Sequence, residues 1–321
     1  MPRIESWKGR EVVVTGGAGF LGSHLVERLG AAGARVFVPR RRDYELTERS
    51  ACDRLLREHP AEVLFHAAAF YGGIGINQSH PGRIYYENLV MGANVMEAAR
   101  RAGVAKFVTV GTACAYPGEA EGDLAEEGFW DGPLHGSVEA YGVTKKVLAI
   151  QGRAYAREYG LPSIHLILTN LYGPRDSYNP ERSHVVAALV RKFVEAVGSG
   201  AREVEIWGTG RAVREFLYVE DAAEGIQRAA ERYDDTERPL NIGTGVGTSI
   251  RELIETLRDA TGFRGELRWD RAKPDGALRK VLDVRRMREA LDWRPPHDLR
   301  SGLAKTVAWY RANKEEADRR F

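Results

Sequence analysis

Tyr141 and Lys145 stand four residues apart in the run Tyr141-Gly-Val-Thr-Lys145. On a helix, that spacing puts both side chains on one face. A phenol there can exchange a proton with a carbonyl or alcohol oxygen. A free tyrosine titrates at about pH 10, and nearby positive charge favours its phenolate. Tyr-x-x-x-Lys also recurs on ordinary helix surfaces, so the pair needs context. That context lies upstream in Thr15-Gly-Gly-Ala-Gly-Phe-Leu-Gly22. Gly16, Gly19 and Gly22 let a backbone turn tightly against a pyrophosphate, and a helix N-terminus supplies N–H donors and positive potential.

Both features need elements to hold them. Residues 11–15 are β-branched and read as a buried parallel strand. Residues 21–31 read as a helix with Leu21, Leu25 and Leu29 on one side. Further strands are expected at 35–38, 62–67, 106–110 and 163–168, with helices at 50–58, 88–102 and 141–159 between them. In the last of these helices, Val147, Leu148, Ala154 and Tyr155 mark an expected buried stripe. The alternation predicts an α/β fold with a Rossmann-type, doubly wound parallel sheet. Ligands of such sheets bind at the carboxyl ends of the strands, so Thr112, Cys114 and Asn170 should face the cleft. Beyond Tyr172 the pattern becomes loop-rich. Helices are expected at 189–197 and 250–260, with short strands at 204–207 and 266–269. This reads as a smaller, discontinuous α/β substrate-binding part. A dinucleotide-binding domain would span 1–172, with returning segments near 214–247, and 173–321 would be mainly substrate-binding.

Composition narrows the options. The formal charge of +2 gives no strong field for nucleic acid or an anionic membrane. No apolar run approaches the roughly 20 residues of a membrane span, and the N-terminus lacks a signal-peptide core. Cys52 and Cys114 are the two cysteines, too few for a disulfide framework, so a reducing cytoplasm is expected. Cys52 reads as a packing residue. His66, ending the third strand, reads as structural. No metal site is expected.

With the glycine turn, Thr112, Tyr141 and Lys145 in hand, the chain resembles the extended branch of the short-chain dehydrogenase/reductases. Longer segments narrow the resemblance to the GDP-L-fucose synthases. They are Ala67-Ala-Ala-Phe-Tyr-Gly-Gly-Ile74, Gly111-Thr-Ala-Cys-Ala-Tyr-Pro117, Thr169-Asn-Leu-Tyr-Gly-Pro174, Ser183-His-Val185, Trp207-Gly-Thr-Gly-Arg-Ala-Val-Arg-Glu-Phe216 and Lys273-Pro-Asp-Gly276. The resemblance implies a homodimeric 3,5-epimerase/4-reductase acting on a GDP-linked 4-keto-6-deoxy-mannose. It carries Cys114 over as base and His184 as acid. Thr112, where the family usually has serine, would donate to the C4 oxygen, and Tyr141 would deliver the proton there. A thiolate is a competent base, and imidazole changes charge near neutrality.

NAD sites place an acid at the end of the second strand. This chain has Val38-Pro-Arg-Arg-Arg42. Arg40 and Arg41 suit a 2′-phosphate, so the expected cofactor is NADP; Asp43 lies farther out. Lys192 and Arg214 are candidates for the substrate diphosphate, and Trp207 for packing on the base or the sugar. The chain departs from the family at Ala18, at Phe70 where lysine is frequent, at Thr112, and at Lys192 where arginine is usual. The first bears on the choice of cofactor, and the others on the substrate more than on the reaction class. The nearest rival is a sugar-nucleotide epimerase without net reduction, and a more distant one is a non-catalytic dinucleotide sensor.

Overall fold

The computed structural model describes residues 4–179, 182–272 and 278–319. The chain begins β1 (Glu11–Thr15), α1 (Phe20–Ala31), β2 (Arg35–Phe37), α2 (Arg49–Glu58) and β3 (Val63–His66). It continues through α3 (Ile74–Ser79), α4 (Pro81–Arg101), β4 (Lys106–Thr112), α5 (Glu139–Tyr159) and β5 (Ser163–Leu168). Next come β6 (Asn170–Tyr172), α6 (Val185–Ser199), β7 (Glu203–Trp207), β8 (Val213–Arg214), β9 (Phe216–Tyr218), α7 (Val219–Arg232) and β10 (Leu240–Ile242). The last are β11 (Thr248–Ser249), α8 (Ile250–Thr261), β12 (Glu266–Asp270), β13 (Arg279–Lys280), α9 (Arg285–Leu291), α10 (Leu299–Ala312) and α11 (Lys314–Arg319).

Six strands form one parallel sheet in the order β10-β5-β4-β3-β1-β2. The chain leaves β1 toward β2 and then crosses back to β3 on the other side. That reversal opens a crevice at the carboxyl ends of β1 and β3. Both faces of the sheet are covered, so its central strands β1, β3, β4 and β5 are almost wholly buried. Val12, Val14, Val63, Phe65 and Val108 pack with Leu25, Leu29, Ala222 and Ile226 of α1 and α7. Val13, Leu64 and Phe107 pack with Leu55, Met91, Val95 and Leu148 of α2, α4 and α5.

A second core joins Tyr172, Tyr178, Phe193, Leu253, Leu257, Leu303 and Tyr310. Around it lie the parallel pairs β6/β9 and β7/β12 and the three-stranded β11-β8-β13. After β9 the chain returns to the large sheet. There α7 lies against α1, with Arg28 and Glu224 paired at 3.3 Å, and β10 extends the sheet beside β5.

Two helices start earlier than their apolar periodicity. α4 begins at Pro81, a residue pre-organised for a first helical position. Its first turns present Tyr85 and Tyr86 to solvent, so no apolar stripe marks them in the sequence. α6 begins at Val185, directly after His184. On α5 the buried face is Tyr141, Gly142, Thr144, Lys145, Leu148, Ala149 and Gly152; Ala154, expected inside, is exposed. Among the described residues no helix is long and apolar enough to cross a membrane.

Candidate active site

The turn after β1 fits a dinucleotide for steric reasons. Gly16 has φ +73°, and a Cβ there would sit 2.6 Å from the Ala68 amide nitrogen. A Cβ on Gly22 would clash with the Gly16 carbonyl, so this glycine lets α1 pack against the turn. α1 is preceded by Gly19 at its N-cap, with no side-chain cap and no acid in its first turn. Its leading N–H groups and positive end are therefore left for an anion. Beside the turn, a Cβ on Gly17 would meet the Val38 side chain at 2.8 Å, which brings the Val38–Arg42 loop to the same crevice. Arg40, Arg41 and Arg42 are all exposed. Arg41 is already held by Glu45 at 2.7 Å and Glu87 at 3.8 Å. The Arg40 side chain has no ion-pair partner among the described residues, so it is the freer cation for a 2′-phosphate.

Thr112 ends β4, and its hydroxyl oxygen accepts the Cys114 N–H at 3.2 Å. This caps a single tight turn, Ala113–Ala115, that carries Cys114. The following loop is anchored far away in sequence. The Tyr116 hydroxyl donates to Asn241 Oδ1 at 2.8 Å, and Asn241 Nδ2 donates to the Leu124 and Asp283 carbonyls. α5 approaches this turn so closely that a Cβ on Gly142 would lie 2.7 Å from the Cys114 carbonyl oxygen.

Tyr141 and Lys145 are buried. The Lys145 ammonium lies 5.5 Å from the centre of the Tyr141 ring, and burial pushes its pKa down to about 8. The sequence expectation of a phenol biased toward phenolate is corrected here. Burial, then the proximity of Cys114, drives the Tyr141 pKa upward. Desolvation penalises the phenolate more than the nearby lysine favours it. A protonated phenol is the form that can donate to a carbonyl oxygen.

The loop after β3 closes the cluster. The Tyr71 ring stacks on Tyr141 with centroids 4.0 Å apart and lies 5.7 Å from the His184 ring. Its hydroxyl is 4.0 Å from Cys114 Sγ. His184 Nδ1 is 3.7 Å from Asp176 Oδ1, an ion-pair rather than a hydrogen-bond distance. Burial pulls the His184 pKa down, but the Asp176 carboxylate outweighs it and holds the imidazole above its usual value. His66 is different: it pairs with Thr15 Oγ1 at 2.8 Å, and burial with Lys145 nearby pushes it to about 3. It is a neutral structural group. Cys52 is buried 3.4 Å from the Leu46 carbonyl, and its thiol is pushed up to about 12.

The expected substrate-binding residues separate into two groups. Lys192 Nζ donates to the Glu205 carbonyl at 2.9 Å, and Trp207 Nε1 to the Glu205 carboxylate at 3.3 Å. Trp207 is 63% exposed. Arg214 lies on β8 opposite Lys280 of β13. Asn170 Nδ2 donates to the Glu215 carbonyl at 2.9 Å. Glu215 itself is buried, and its carboxylate accepts N–H groups of Thr244 at 2.5 Å, Gly245 at 3.0 Å and Leu282 at 2.6 Å. It ties the loop after β10 and the segment after β13 to the strand that carries Arg214. The Lys273-Pro-Asp-Gly276 segment lies outside the described residues.

Four residues at this site escaped the sequence reading. Tyr71 carried a usable signal, because it follows a strand of the sheet just as Cys114 does. Asp176 and Glu215 matter through burial, which composition does not reveal. Lys280 is brought in by long-range pairing of β13 with β8; burial lowers its pKa, and Cys114 opposes that fall.

Known proteins resemble this chain along most of its length. Residues 12–243 match the family described as the NAD dependent epimerase/dehydratase family. The probable GDP-L-fucose synthase 1 of Oryza sativa subsp. japonica is 37% identical, over 95% of this chain and 93% of its own. The GDP-L-fucose synthase of Escherichia coli (strain K12) is 34% identical, over 95% of this chain and 98% of its own. Among solved structures, a GDP-L-fucose synthetase from Naegleria fowleri bound to NADP superposes with a TM-score of 0.90 at 25% identity, covering 99% of both chains. The chain therefore belongs to the NAD-dependent epimerase/dehydratase family, within its GDP-L-fucose synthase group.

Proposed function

We propose that the protein makes GDP-L-fucose from GDP-4-keto-6-deoxy-D-mannose, as an NADPH-dependent 3,5-epimerase/4-reductase. The observation that carries this reading is the convergence of Cys114, His184 and Tyr141 around Tyr71. Bound in the glycine turn, NADPH supplies the hydride that reduces C4. Gly16, Gly19 and Gly22 would leave room for its pyrophosphate, Arg40 and Arg41 would meet its 2′-phosphate, and Lys145 would border the same site.

The remaining steps belong to the protein's own side chains. The C4 ketone acidifies the protons at C3 and C5. Cys114 removes a proton from one face of the sugar, giving an enolate whose oxygen Thr112 stabilises by donation. His184, charged through Asp176, returns a proton on the opposite face and inverts the centre. A base and an acid on opposite faces are what an inversion requires, and a reductase alone would need neither. Tyr141 then gives its proton to the C4 oxygen as reduction occurs.

Trp207 offers its exposed ring to the guanine or the sugar. Lys192 and Arg214 hold the diphosphate, and Asn170 borders the sugar. Residues 1–172, with segments near 214–247, serve the cofactor, and 173–321 mainly the substrate. Exposed Tyr85, Tyr86, Ile150 and Tyr159 on α4 and α5 support a homodimer through these helices. A catalytic thiolate operates in a reducing compartment, which supports the cytoplasm.

The test is incubation with NADPH and the keto sugar nucleotide in deuterated water. Deuterium at C3 and C5 with stoichiometric NADPH loss supports the proposal. Exchange without NADPH loss leaves an epimerase, and NADPH loss without exchange leaves a reductase. Full exchange by Cys114→Ser would remove the thiol from the mechanism.

A further inference from the structure

Tyr71 touches three of the proposed reacting groups at once. Its ring covers the Tyr141 ring, approaches His184, and presents its hydroxyl to the Cys114 sulfur. We propose that the Tyr71 hydroxyl donates a hydrogen bond to the Cys114 thiolate, making Tyr71 a positioning residue that sustains the base. The inference rests on Cys114 being that base.

The geometry favours donation by the phenol. Stacking on Tyr141 fixes the ring plane, so the hydroxyl cannot swing freely away from Sγ. Neighbouring Asn77 is buried, and its amide donates to the Gly72 and Gly73 carbonyls, at 3.1 and 3.2 Å, which fixes the loop that carries the ring. The Tyr71 phenol also stays protonated: burial first, then Cys114 and Tyr141, raises its pKa well above the usual value. A phenol that keeps its proton can only assist a neighbouring anion by donating. At 4.0 Å the contact is long, as such contacts often are before substrate binds.

Other titratable groups face Cys114 from the surrounding elements. They are Tyr141 with Lys145 behind it on α5, Lys280 on β13, and Arg214 beside Lys280 on β8. Lys280 acts by charge across the pocket, whereas Tyr71 acts by a directed hydrogen bond. Removing the Tyr71 hydroxyl leaves all these charges in place, so the two contributions separate experimentally.

Tyr71→Phe keeps the ring stack and deletes only the donor. The full-length protein, saturated with NADPH, is treated with iodoacetamide across pH, and alkylation at Cys114 is read by peptide mass spectrometry. The expected result is an alkylation profile displaced to higher pH, with about a tenfold slower rate at pH 7, as for loss of a charge-assisted hydrogen bond. Deuterium wash-in at C3 and C5 should fall by a similar factor at pH 7 and recover at higher pH. A purely structural role would lower the rate at every pH without moving the profile. An alkylation profile that coincides with wild type overturns the proposal. A displaced alkylation profile with unaltered wash-in upholds the hydrogen bond and overturns Cys114 as the base. Should Tyr71→Phe not fold, 3-fluorotyrosine at position 71 provides a stronger donor and should move the alkylation profile the other way; no movement overturns the proposal.

Discussion

Lys145→Met should make the protein more stable and much less active. The lysine is 2% exposed, and its pKa falls from 10.5 to about 8 through burial. Each unit of that fall corresponds to about 1.4 kcal/mol, so the charged lysine costs the fold about 3 kcal/mol at neutral pH. Methionine keeps the length without the charge. It forfeits the ammonium's attraction to the Tyr141 ring, worth about 0.5–1 kcal/mol. The net gain is about 2 kcal/mol, or a few degrees in Tm. The sign with pH follows from proton counting. Below pH 8 the lysine is charged in both states and the whole cost is present. Between about 8 and 10.4 the unfolded chain binds the proton and the native state does not. Wild-type stability therefore rises through that window, and the variant's advantage should vanish by its upper end. Urea unfolding at pH 7 and pH 10, with matched m values, measures this. Without the ammonium beside Tyr141, kcat should fall by about 10²-fold or more. Equal midpoints for wild type and variant at pH 7, or an advantage that persists at pH 10, would refute the reasoning.

Three further outcomes are expected. Asp176→Asn removes the carboxylate that holds the His184 imidazolium, so the basic limb of the pH–kcat profile should move to lower pH; an unmoved limb would argue against His184 as the acid. Glu215→Ala strands three backbone N–H groups in a buried site and should cost on the order of 4 kcal/mol in urea unfolding; a loss under 1 kcal/mol would mean that water replaces the carboxylate. Arg40→Ala should raise KM for NADPH by roughly 10- to 100-fold and leave KM for NADH nearly unchanged, whereas Arg41→Ala, already paired with Glu45 and Glu87, should do less.

Local sequence determined the parts of this protein that depend on near neighbours. A β-branched run, three spaced glycines and a leucine-striped helix can specify a strand, a turn and a helix start without distant help. Tyr141 and Lys145 share a helix face because 3.6 residues make a turn. The basic loop after β2 is likewise read from adjacent residues, as is the switch from alternating strands and helices to a loop-rich second half. What the sequence left open depends on burial and on long-range pairing. Residues 114 and 184 lie 70 positions apart, and only the sheet, with α6 starting beyond it, brings both to the Tyr71 ring. The ionisation of Tyr141 is not legible from the neighbouring lysine, because desolvation belongs to the whole surroundings. Lys280 reaches the cysteine only through strands that pair across 66 residues, and Glu215 acquires its role only when two separate segments turn three amides onto one carboxylate. Elements are local; the polarity and reach of a site are collective, so tertiary structure alone decided them.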